Sequence, residues 1–379
     1  MSVKLQKGQK VSLSKEHAGL SKIIVGLGWD EVQQQRSFFA PKPQDIDCDA
    51  FALLLVDGKL ASSQDIVYYG NPDFHIIGTN ENQRSALATV CDEWYVEPVV
   101  KGDEYVDYCL SFCEKHEVDV FMPRREMLSI SRRKAEFETI GVKVMVDDFE
   151  IVNILNHKDS AYELLKKRGV STIPEYIIVT NVSSFQDAYA ALEKRYQEIC
   201  IKFVHDEGGK SYRLIDNNRK GYSALFKKQN TRMTYDAIVE ALSERETFSP
   251  LMVMPNLSEE EISVDCLKTS KGLIMLPRIK DTSRIEKLCF RDDILERTQE
   301  VYDAIQLECP CNIQFKYLKG IPYFLEVNTR MSGGVQMACM AGKVNIPSIA
   351  VNKLLGVEKD WKINKEEQYV THVEVPVIL

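Results

Sequence analysis

The residues with the clearest chemical pattern lie in two short β-like runs near residue 320. The runs Cys311-Asn312-Ile313-Gln314-Phe315 and Phe324-Leu325-Glu326-Val327-Asn328-Thr329-Arg330 are joined by Lys319-Gly320-Ile321-Pro322. This order predicts a β-hairpin, in which the period of two places Glu326, Asn328 and Arg330 on one face and Gln314 on one face of its partner strand. Side-chain oxygens of Gln, Glu and Asn are ligands that Mg²⁺ accepts while it also holds phosphate groups.

The same hairpin has a second interpretation, as a solvated face with one salt bridge. The following residues Met331-Ser332-Gly333-Gly334-Val335 favour a ligand site, because small residues permit close approach of the backbone to a ligand. Arg330, at the end of the second strand, is then suited to neutralising a phosphoryl group.

A glycine pair flanked by lysines forms a second cluster. Ile201-Lys202-Phe203 reads as a strand, and His205-Asp206-Glu207-Gly208-Gly209-Lys210-Ser211 follows it. Glycines can turn backbone N–H groups onto a phosphate, and the lysines add positive charge. An ordinary hairpin turn is the alternative interpretation, and the G-x-x-x-x-G-K-[ST] phosphate loop does not occur.

Two further segments lie between these clusters. The strand-like run Leu251–Leu257 leads into the acidic bend and second strand Glu259–Asp265. Leu276-Pro277-Arg278-Ile279-Lys280, followed by Arg284, adds three cations after a strand, for which a solvated basic loop is the alternative.

Taken in order along the chain, these residues resemble the ATP-grasp superfamily, in the branch of the carbamoyl-phosphate synthetase large subunit and related carboxylate–amine ligases. The resemblance covers roughly residues 71–360 and is most specific at Gln314 and Glu326–Gly334. Asn156-His157-Lys158-Asp159 resembles the start of the family's nucleotide-binding lobe, and Asn71–Pro98 resembles the α/β domain that precedes it.

The resemblance implies ATP and one or two Mg²⁺ as cofactors, and it implies three sets of site residues. The nucleotide-binding set is Lys158, Lys202, Gly208, Gly209, Lys210 and Ser211 at the phosphates, the backbone of Val253, Met254 and Asn256 at adenine, and Glu261 at the ribose. The metal ligands are Gln314, Glu326 and Asn328. The catalytic set is Arg330, Arg278 and Lys202. Pro255-Asn256 departs from the family, where many relatives carry Glu followed by an aromatic residue.

The implied reaction is attack of a carboxylate on the γ-phosphate of ATP, followed by displacement of phosphate by an amine or another nucleophile. Small-molecule carboxylates and amines are therefore the expected partners. Such chemistry depends on positioning and charge neutralisation rather than on a general base. The alternative is a stress-associated ATP-binding or scaffold protein without turnover. The joint presence of Lys202, Gln314, Glu326, Asn328 and Arg330 favours the enzyme.

The elements that must position these residues are of the α/β and α+β classes. Alternating strands and helices predict a Rossmann-like α/β domain over residues 71–150, and a two-lobed ATP-grasp domain follows over 151–379. The predicted helices are Ser85–Cys91, Tyr105–His116, Leu128–Ile140, Ser160–Arg168, Ser184–Tyr196, Tyr235–Ser243, Asp293–Gln306 and Ser348–Leu355. The strands predicted outside the clusters above are Phe74–Gly78, Val118–Met122, Val142–Val146, Tyr176–Val179 and Thr371–Leu379, and Cys200–Val204 forms the lysine-bearing strand.

Residues 1–70 follow a different pattern. Val11–Leu13, Ile23–Leu27 and Phe51–Val56 predict part of an antiparallel sheet. The segment resembles the N-terminal part of the tellurium-resistance TerD family, a calcium-binding β-sandwich, over about 70 residues. Asp47 and Asp49 match acidic positions of that family, whose later acid-rich loop has no counterpart here, so the resemblance does not by itself predict bound Ca²⁺. This segment either completes the first α/β layer or packs as a partial sheet.

Composition sets outer limits on function. The 379 residues carry a net charge of −8 with no Lys/Arg-rich block, which argues against nucleic-acid binding. No uncharged apolar run reaches the ~18 residues that a membrane span needs, and the start lacks a signal peptide, so a cytoplasmic protein is expected. The ten cysteines are scattered without C-x-x-C pairs, which favours buried thiols over zinc. The family resemblance also implies a possible homodimer.

Overall fold

The computed structural model describes residues 51–56, 74–85, 91–204, 210–218, 231–280 and 285–371. The predicted strands Val11–Leu13 and Ile23–Leu27, and the acidic positions Asp47 and Asp49, lie outside these residues. So do Gly208, Gly209 and Arg284, as well as most of the predicted helix Ser85–Cys91 and of the final predicted strand Thr371–Leu379.

The first sheet is parallel and has five strands in the order β3-β2-β1-β4-β5. The strands are β1 (Phe51–Val56), β2 (Phe74–Asn80), β3 (Glu93–Val96), β4 (Val120–Met122) and β5 (Lys143–Val144). β1 pairs in parallel with both β2 and β4, so the prediction that Phe51–Val56 belongs to an antiparallel sheet is wrong. An unbroken apolar run is typical of a central parallel strand, where both faces are covered. The N-terminal segment thus supplies the middle strand of the α/β layer.

The helices of this layer are α1 (Gly102–Lys115), α2 (Met127–Arg132), α3 (Lys134–Thr139) and α4 (Phe149–Leu155). α1 buries Tyr105, Val106, Cys109, Phe112 and Cys113, the spacing of one helix face against a sheet. The single helix predicted over Leu128–Ile140 is two helices that meet at Arg133. The Ser131 hydroxyl donates to the Leu128 carbonyl at 2.8 Å, a bond that competes with the regular helix pattern.

The second sheet has five strands in the order β6-β10-β7-β8-β9. They are β6 (Ile177–Val179), β7 (Ile199–Phe203), β8 (Arg213–Ile215), β9 (Arg232–Met233) and β10 (Leu251–Pro255). The associated helices are α5 (Lys158–Lys167), α6 (Val182–Glu193) and α7 (Tyr235–Ser243). α6 begins at a reciprocal capping pair between Asn181 and Ser184, which explains why it starts two residues before the predicted Ser184.

The third sheet has six antiparallel strands in the order β15-β14-β11-β12-β13-β16. They are β11 (Glu261–Thr269), β12 (Gly272–Lys280), β13 (Ile285–Leu288), β14 (Cys311–Leu318), β15 (Ile321–Asn328) and β16 (Gln368–Thr371). The helices here are α8 (Asp292–Ile305), α9 (Val335–Gly342) and α10 (Ile346–Leu354). The β14–β15 hairpin is confirmed, and its turn has the positive φ angles of Lys319 (53°) and Gly320 (74°) that a tight two-residue turn requires.

Contacts between the sheets form the core around the site. One buried cluster joins α5, the cleft face of the second sheet and the third sheet, and includes Tyr162, Cys200, Met252 and Phe324. The parallel layer joins the third sheet through Asp147, whose carboxylate accepts the N–H groups of Glu308 at 2.6 Å and Cys309 at 3.2 Å. Burial nevertheless raises the pKa of Asp147 above its usual range.

Nine of the ten cysteines lie in the described part, and all nine are free thiols, buried except for the half-buried Cys91. The prediction of mostly buried thiols is confirmed for those nine, and Cys48 lies outside the described residues. In the part of the chain that the structure describes, no helix is both long and apolar enough to cross a membrane.

Candidate nucleotide and metal site

The predicted metal ligands share one face of the third sheet. Gln314 lies directly opposite Glu326, and Asn312 lies opposite Asn328, so the three predicted side chains project to the same side. β15 ends at Asn328, and Arg330 follows two residues later. All four predicted residues of this hairpin are half-buried. The period-two argument for Glu326 and Asn328 is therefore confirmed, whereas Arg330 stands beyond the strand.

Hydrogen bonds within this face orient the amide groups. Gln314 Nε2 donates to Asn312 Oδ1 at 3.0 Å, which directs the Gln314 carbonyl oxygen away from Asn312. Asn312 in turn donates through Nδ2 to Ser263 Oγ and to Asp265 Oδ1, each at 2.9 Å. Asn312 was not predicted as a site residue. The sequence feature that could have identified it is its position two residues before Gln314, on the same face of the strand.

The donor chemistry fits a phosphate-bound Mg²⁺. Glu326 supplies one carboxylate, and Gln314 and Asn328 supply amide oxygens, which are hard ligands of the type Mg²⁺ prefers. The nearby Asp265 carboxylate does not add to this set, because Arg278 and Asn312 already bind it. Among the described residues, no group of three or more His, Cys, Asp or Glu side chains could hold a metal on its own. Phosphate oxygens would have to complete such a coordination shell.

Arg278 lies in a buried ionic cluster rather than in a solvated basic loop. Its Nε donates to Asp265 Oδ2 at 2.9 Å, its Nη1 contacts Glu286, and its Nη2 donates to Ser332 Oγ at 2.8 Å. The side chain is 2% exposed. Burial alone lowers the pKa of Arg278, but Asp265 and Glu286 outweigh it and raise that pKa above its usual range. In this arrangement Arg278 fixes the loop after β15 through Ser332.

The glycines of that loop have a role that the sequence did not reveal. A Cβ on Gly334 would collide with the Arg278 guanidinium, whereas a Cβ on Gly333 would meet nothing within 4 Å. Gly334 therefore makes room for a buried arginine. The interpretation that both glycines serve close approach to a ligand stays a prediction for Gly333.

Lys202 connects the second sheet to the β14–β15 hairpin. It is 7% exposed, and its Nζ lies 3.4 Å from the hydroxyl of Tyr162, which donates to the Leu325 carbonyl at 2.9 Å. Leu325 is the residue before Glu326, so the lysine of β7 and the carboxylate of β15 face one cleft. Lys158 begins α5 and lies one turn from Tyr162 on the same helix face.

Lys316 is a cation of this cleft that the sequence did not single out. Burial raises the pKa of the Cys200 thiol to about 12, and Lys202 and Lys316 both act against that rise, which places both ammonium groups near Cys200. Lys316 lies on β14, opposite Glu261 of β11. The sequence feature that could have identified Lys316 is its position two residues after Gln314.

The segment predicted to hold adenine is tied into a hydrogen-bonded chain. The backbone N–H of Asn256 donates to the Glu198 carbonyl at 2.9 Å, its Nδ2 donates to Glu198 Oε2 at 2.7 Å, and its Oδ1 accepts the Tyr212 hydroxyl at 2.8 Å. Val253 and Met254 are buried in β10. Tyr212 is thereby tied to Asn256 beside the end of β10.

Three further residues were predicted to bind the nucleotide, namely Glu261, Ser211 and Lys210. Glu261, at the start of β11, pairs with Lys280 at 2.8 Å. Ser211 Oγ accepts the N–H of Phe203 at 2.9 Å, which ties the end of the glycine segment back to β7. Lys210 is exposed, and its carbonyl accepts from Arg213 at 2.9 Å. The roles of these residues toward ATP stay predictions.

Comparisons with known proteins agree with both resemblances. Residues 247–376 match the family described as ATP-grasp in the biosynthetic pathway with Ter operon, and residues 1–87 match the TerD domain. The stress response protein SCP2 of Bacillus subtilis is 44% identical over 75 residues, which are 19% of this chain and 38% of that protein.

Two further comparisons cover most of the chain. The carbamoyl phosphate synthase large chain of Clostridium acetobutylicum is 21% identical over 328 residues, covering 80% of this chain but 28% of the synthase. The structure of N5-carboxyaminoimidazole synthetase from Staphylococcus aureus, complexed with ADP, aligns with a TM-score of 0.64 at 11% identity, over 86% of this chain and 83% of that one.

The TerD match ends at residue 87, and the match to the ATP-grasp family begins at residue 247. The likeness to the synthetase structure is one of fold, since the identity is low. The part matched at the N-terminus covers less than half the length of its curated relative. The protein therefore has the ATP-grasp fold, with C-terminal residues that match the Ter-operon ATP-grasp family and N-terminal residues that match the TerD domain.

Proposed function

We propose that the protein is an ATP- and Mg²⁺-dependent ligase that activates a carboxylate as an acyl phosphate and transfers the acyl group to an amine or another nucleophile. The observation that carries the proposal is the convergence of Lys202 of β7 and Glu326 of β15 through Tyr162 and the Leu325 carbonyl. A lysine lies on one wall of the cleft, and the proposed oxygen ligands of Mg²⁺ lie on the opposite wall. This arrangement suits a triphosphate bound between the two walls.

In this proposal each residue acts by holding or neutralising charge. Lys158 and Lys202 bind phosphate oxygens from the second-sheet side, and Gln314, Glu326 and Asn328 hold Mg²⁺ from the third-sheet side. The metal ion, when bound, neutralises charge on the transferring phosphoryl group. Arg330 binds the γ-phosphate or the acyl phosphate. Arg278 acts indirectly, since its buried cluster positions the loop that carries Ser332.

The reaction has two steps. A carboxylate oxygen attacks the γ-phosphorus, the bond to the β-phosphate oxygen breaks, and ADP leaves. The amine nitrogen then attacks the acyl carbon, the carbon–oxygen bond to phosphate breaks, and inorganic phosphate leaves while the nitrogen loses a proton to solvent. The first step needs placement of the carboxylate in line with the leaving oxygen rather than an external base.

The same proposal includes the compartment of the enzyme, the cellular system in which it acts and its oligomeric state. Nine free cysteines, eight of them buried, among the described residues suit a reducing, cytoplasmic compartment. The match of residues 1–87 to the TerD domain links the protein to tellurite or stress-response systems. A homodimer is proposed by analogy with the fold and is checked by the mass of the protein in solution.

The direct test is release of ADP from ATP–Mg²⁺ with a panel of carboxylates and amines. Glu326→Ala is expected to reduce the carboxylate-dependent rate about 100-fold or more, because a metal ligand and its charge neutralisation are lost. Glu296→Ala, an exposed glutamate on α8, is the matched control and is expected to keep the parental rate. If Glu326→Ala releases ADP as fast as the parent, the metal assignment is wrong.

Binding without turnover is separated by a second measurement. ATP–Mg²⁺ at millimolar concentration is expected to raise the melting temperature, because a ligand that binds only the folded state stabilises it. A shift without ADP release in any carboxylate–amine combination supports the alternative, an ATP-binding scaffold without turnover. No shift at all contradicts both functions.

A further inference from the structure

Two consecutive arginines after β4 hold different parts of the molecule. Arg124 is 8% exposed, and its Nη1 donates to the carbonyl of Met331, in the loop after β15, at 3.1 Å. Arg125 packs within the parallel layer, where its guanidinium carbon is 4.0 Å from the centre of the Tyr105 ring. A displacement of one arginine therefore reaches the other through a single peptide bond.

The Arg330 loop (residues 329–334) joins β15 to α9 and is held from two sheets. From the parallel layer, Arg124 binds the Met331 carbonyl, and from the third sheet, Arg278 Nη2 donates to Ser332 Oγ at 2.8 Å. Arg330 donates through its own Nη1 to the same Met331 carbonyl at 3.0 Å. The position of Arg124 thus bears on the position of Arg330.

Two carboxylates share the guanidinium of Arg125. Its Nη1 contacts Glu81, and its Nε lies 3.1 Å from Glu97 Oε1. The Glu81 side chain is 32% exposed, whereas the Glu97 side chain is 0% exposed. Glu97 therefore has no solvent to stabilise its negative charge, and burial of this kind favours the protonated carboxyl.

The contact between Glu97 and Arg125 depends on charge rather than on an aligned hydrogen bond. Among the described residues, neither Glu97 Oε1 nor Arg125 Nε has a hydrogen-bond partner, although the two atoms are close. The other oxygen, Glu97 Oε2, accepts the hydroxyl of Thr79 at 3.1 Å and that of Tyr105 at 3.3 Å. A proton on Oε1 leaves both of these bonds in place and removes the attraction to Arg125.

The polar and titratable groups that face Glu97 come from three parts of the parallel layer. They are Thr79 of β2 with Glu81 after it, Arg125 after β4, and Tyr105, Tyr108 and Cys109 of α1. Burial raises the pKa of Glu97 to about 7 and that of Cys109 to about 12, and it takes the pKa of both tyrosines further above their usual range. Of Glu97 and the three α1 groups, only Glu97 changes its charge near neutral pH.

We propose that Glu97 and Arg125 form a proton-sensitive latch for the Arg330 loop. With Glu97 ionised, Arg125 is drawn into the parallel layer, and the adjacent Arg124 holds the Met331 carbonyl. When Glu97 takes up a proton from solvent, Arg125 keeps only Glu81 as a charged partner, and the hold of Arg124 on the loop loosens. The latch sets the placement of Arg330 whatever substrate the protein binds.

Hydrogen exchange of the full chain, read by mass spectrometry, tests the latch without any ligand. The protection factors of the Arg330 loop are compared at about pH 6 and about pH 8, on either side of the pKa of Glu97. Protection is expected to be about threefold lower at the lower pH, which is the effect of weakening one ion pair. Equal protection at the two pH values overturns the proposal.

The sign of this effect separates it from global unfolding. Because burial raises the pKa of Glu97 in the folded protein, this group contributes more to global stability at the lower pH. The Arg330 loop is expected to lose protection over the same interval. A gain of protection in the loop as pH falls contradicts the latch.

Variants assign the effect to particular residues. Glu97→Gln keeps a neutral side chain at every pH and is expected to show the low-pH protection of the parent at both pH values. Glu136→Gln removes an exposed carboxylate that pairs with Arg133 at 2.6 Å in the same layer, and this matched control is expected to keep the parental response. A parental response in Glu97→Gln would assign the titration to another group and overturn the proposal.

A substitution of Arg124 tests the path to the loop. Arg124→Met is expected to lower the protection of the Arg330 loop at both pH values and to abolish its dependence on pH, because the bond to the Met331 carbonyl is lost. If Arg124→Met does not unfold cooperatively, Arg124→Lys carries the comparison, with a smaller loss of protection. An unchanged pH response in the Arg124 variant contradicts the proposed path.

Discussion

Arg278 and Arg125 are both enclosed by carboxylates at a sheet, but their surroundings differ in a way that decides how each cluster responds to pH. Arg278 is held by Asp265 and Glu286, and its pKa is raised above the usual range. Beside Arg125, burial raises the pKa of Glu97 to about 7, although Arg125, Thr79 and Tyr105 act against that rise. The Arg278 guanidinium therefore keeps its charge throughout the working pH range, whereas the Glu97 carboxyl can take up a proton near neutral pH.

The largest expected effect is the loss of stability when Arg278 is replaced. Arg278→Met leaves Asp265 and Glu286 without their shared cation, and the free energy of unfolding is expected to fall by about 3–5 kcal/mol. Arg125→Met is expected to cost clearly less, because Glu97 can become neutral. Urea denaturation at pH 7 measures both. A loss for Arg125→Met that equals or exceeds the loss for Arg278→Met contradicts the comparison.

The second effect is a pH dependence that belongs to the Glu97 cluster. The folded-state pKa of about 7 lies above the ordinary value of 4.5, so the folded protein binds a proton that the unfolded chain has lost between these values. Stability from this group is therefore present at low pH and is lost as pH rises from about 4.5 to about 7, by up to roughly 3 kcal/mol. Glu97→Gln is expected to remove that part of the slope in a series of unfolding curves. The same slope in Glu97→Gln would assign it to other groups.

A glycine pair gives the third test. Gly334→Ala places a methyl group against the Arg278 guanidinium and is expected to destabilise the protein by about 1–3 kcal/mol. Gly333→Ala has open space and is expected to change stability by no more than about 0.5 kcal/mol. Melting curves of the two variants form a matched pair. Equal effects would show that Arg278 does not depend on the space at Gly334.

The smallest expected effect concerns the bond between the two walls of the cleft. Tyr162→Phe removes the hydroxyl that donates to the Leu325 carbonyl and lies beside Lys202, at an expected cost of about 1 kcal/mol. The ring packing against Phe324 is kept. Tyr176→Phe, a more exposed tyrosine, is the control. Denaturant midpoints compare them, and an equal change in both variants would show that the hydroxyl of Tyr162 makes no special contribution.

Local sequence patterns predicted the residues of the candidate site better than they predicted the residues that hold the site in place. Alternation along β14 and β15 was enough to place Gln314, Glu326 and Asn328 on one side of the sheet, because adjacent antiparallel strands fix each other's register. The partners of Arg278 could not be predicted in the same way. Asp265 and Glu286 come from other strands, and Ser332 comes from a loop 54 residues away.

The parallel layer was harder to predict for a related reason. Its strands pair across long separations, as between Val120 of β4 and Leu53 of β1, and no local period reveals such partners. The apolar run of β1 was identified as a strand, but its neighbours were not.

The place of β1 in the sheet has a consequence for how the chain can be divided. The match to the TerD domain extends to residue 87, and β1 within it pairs on both sides with strands of the α/β layer. Residues 1–87 therefore include two neighbouring strands of this sheet, β1 and β2, and the other three strands lie outside the match. Cutting the chain at residue 70 would remove the strand between β2 and β4 and would leave two unpaired edges where one continuous sheet had been, so this sheet needs both parts of the chain to form.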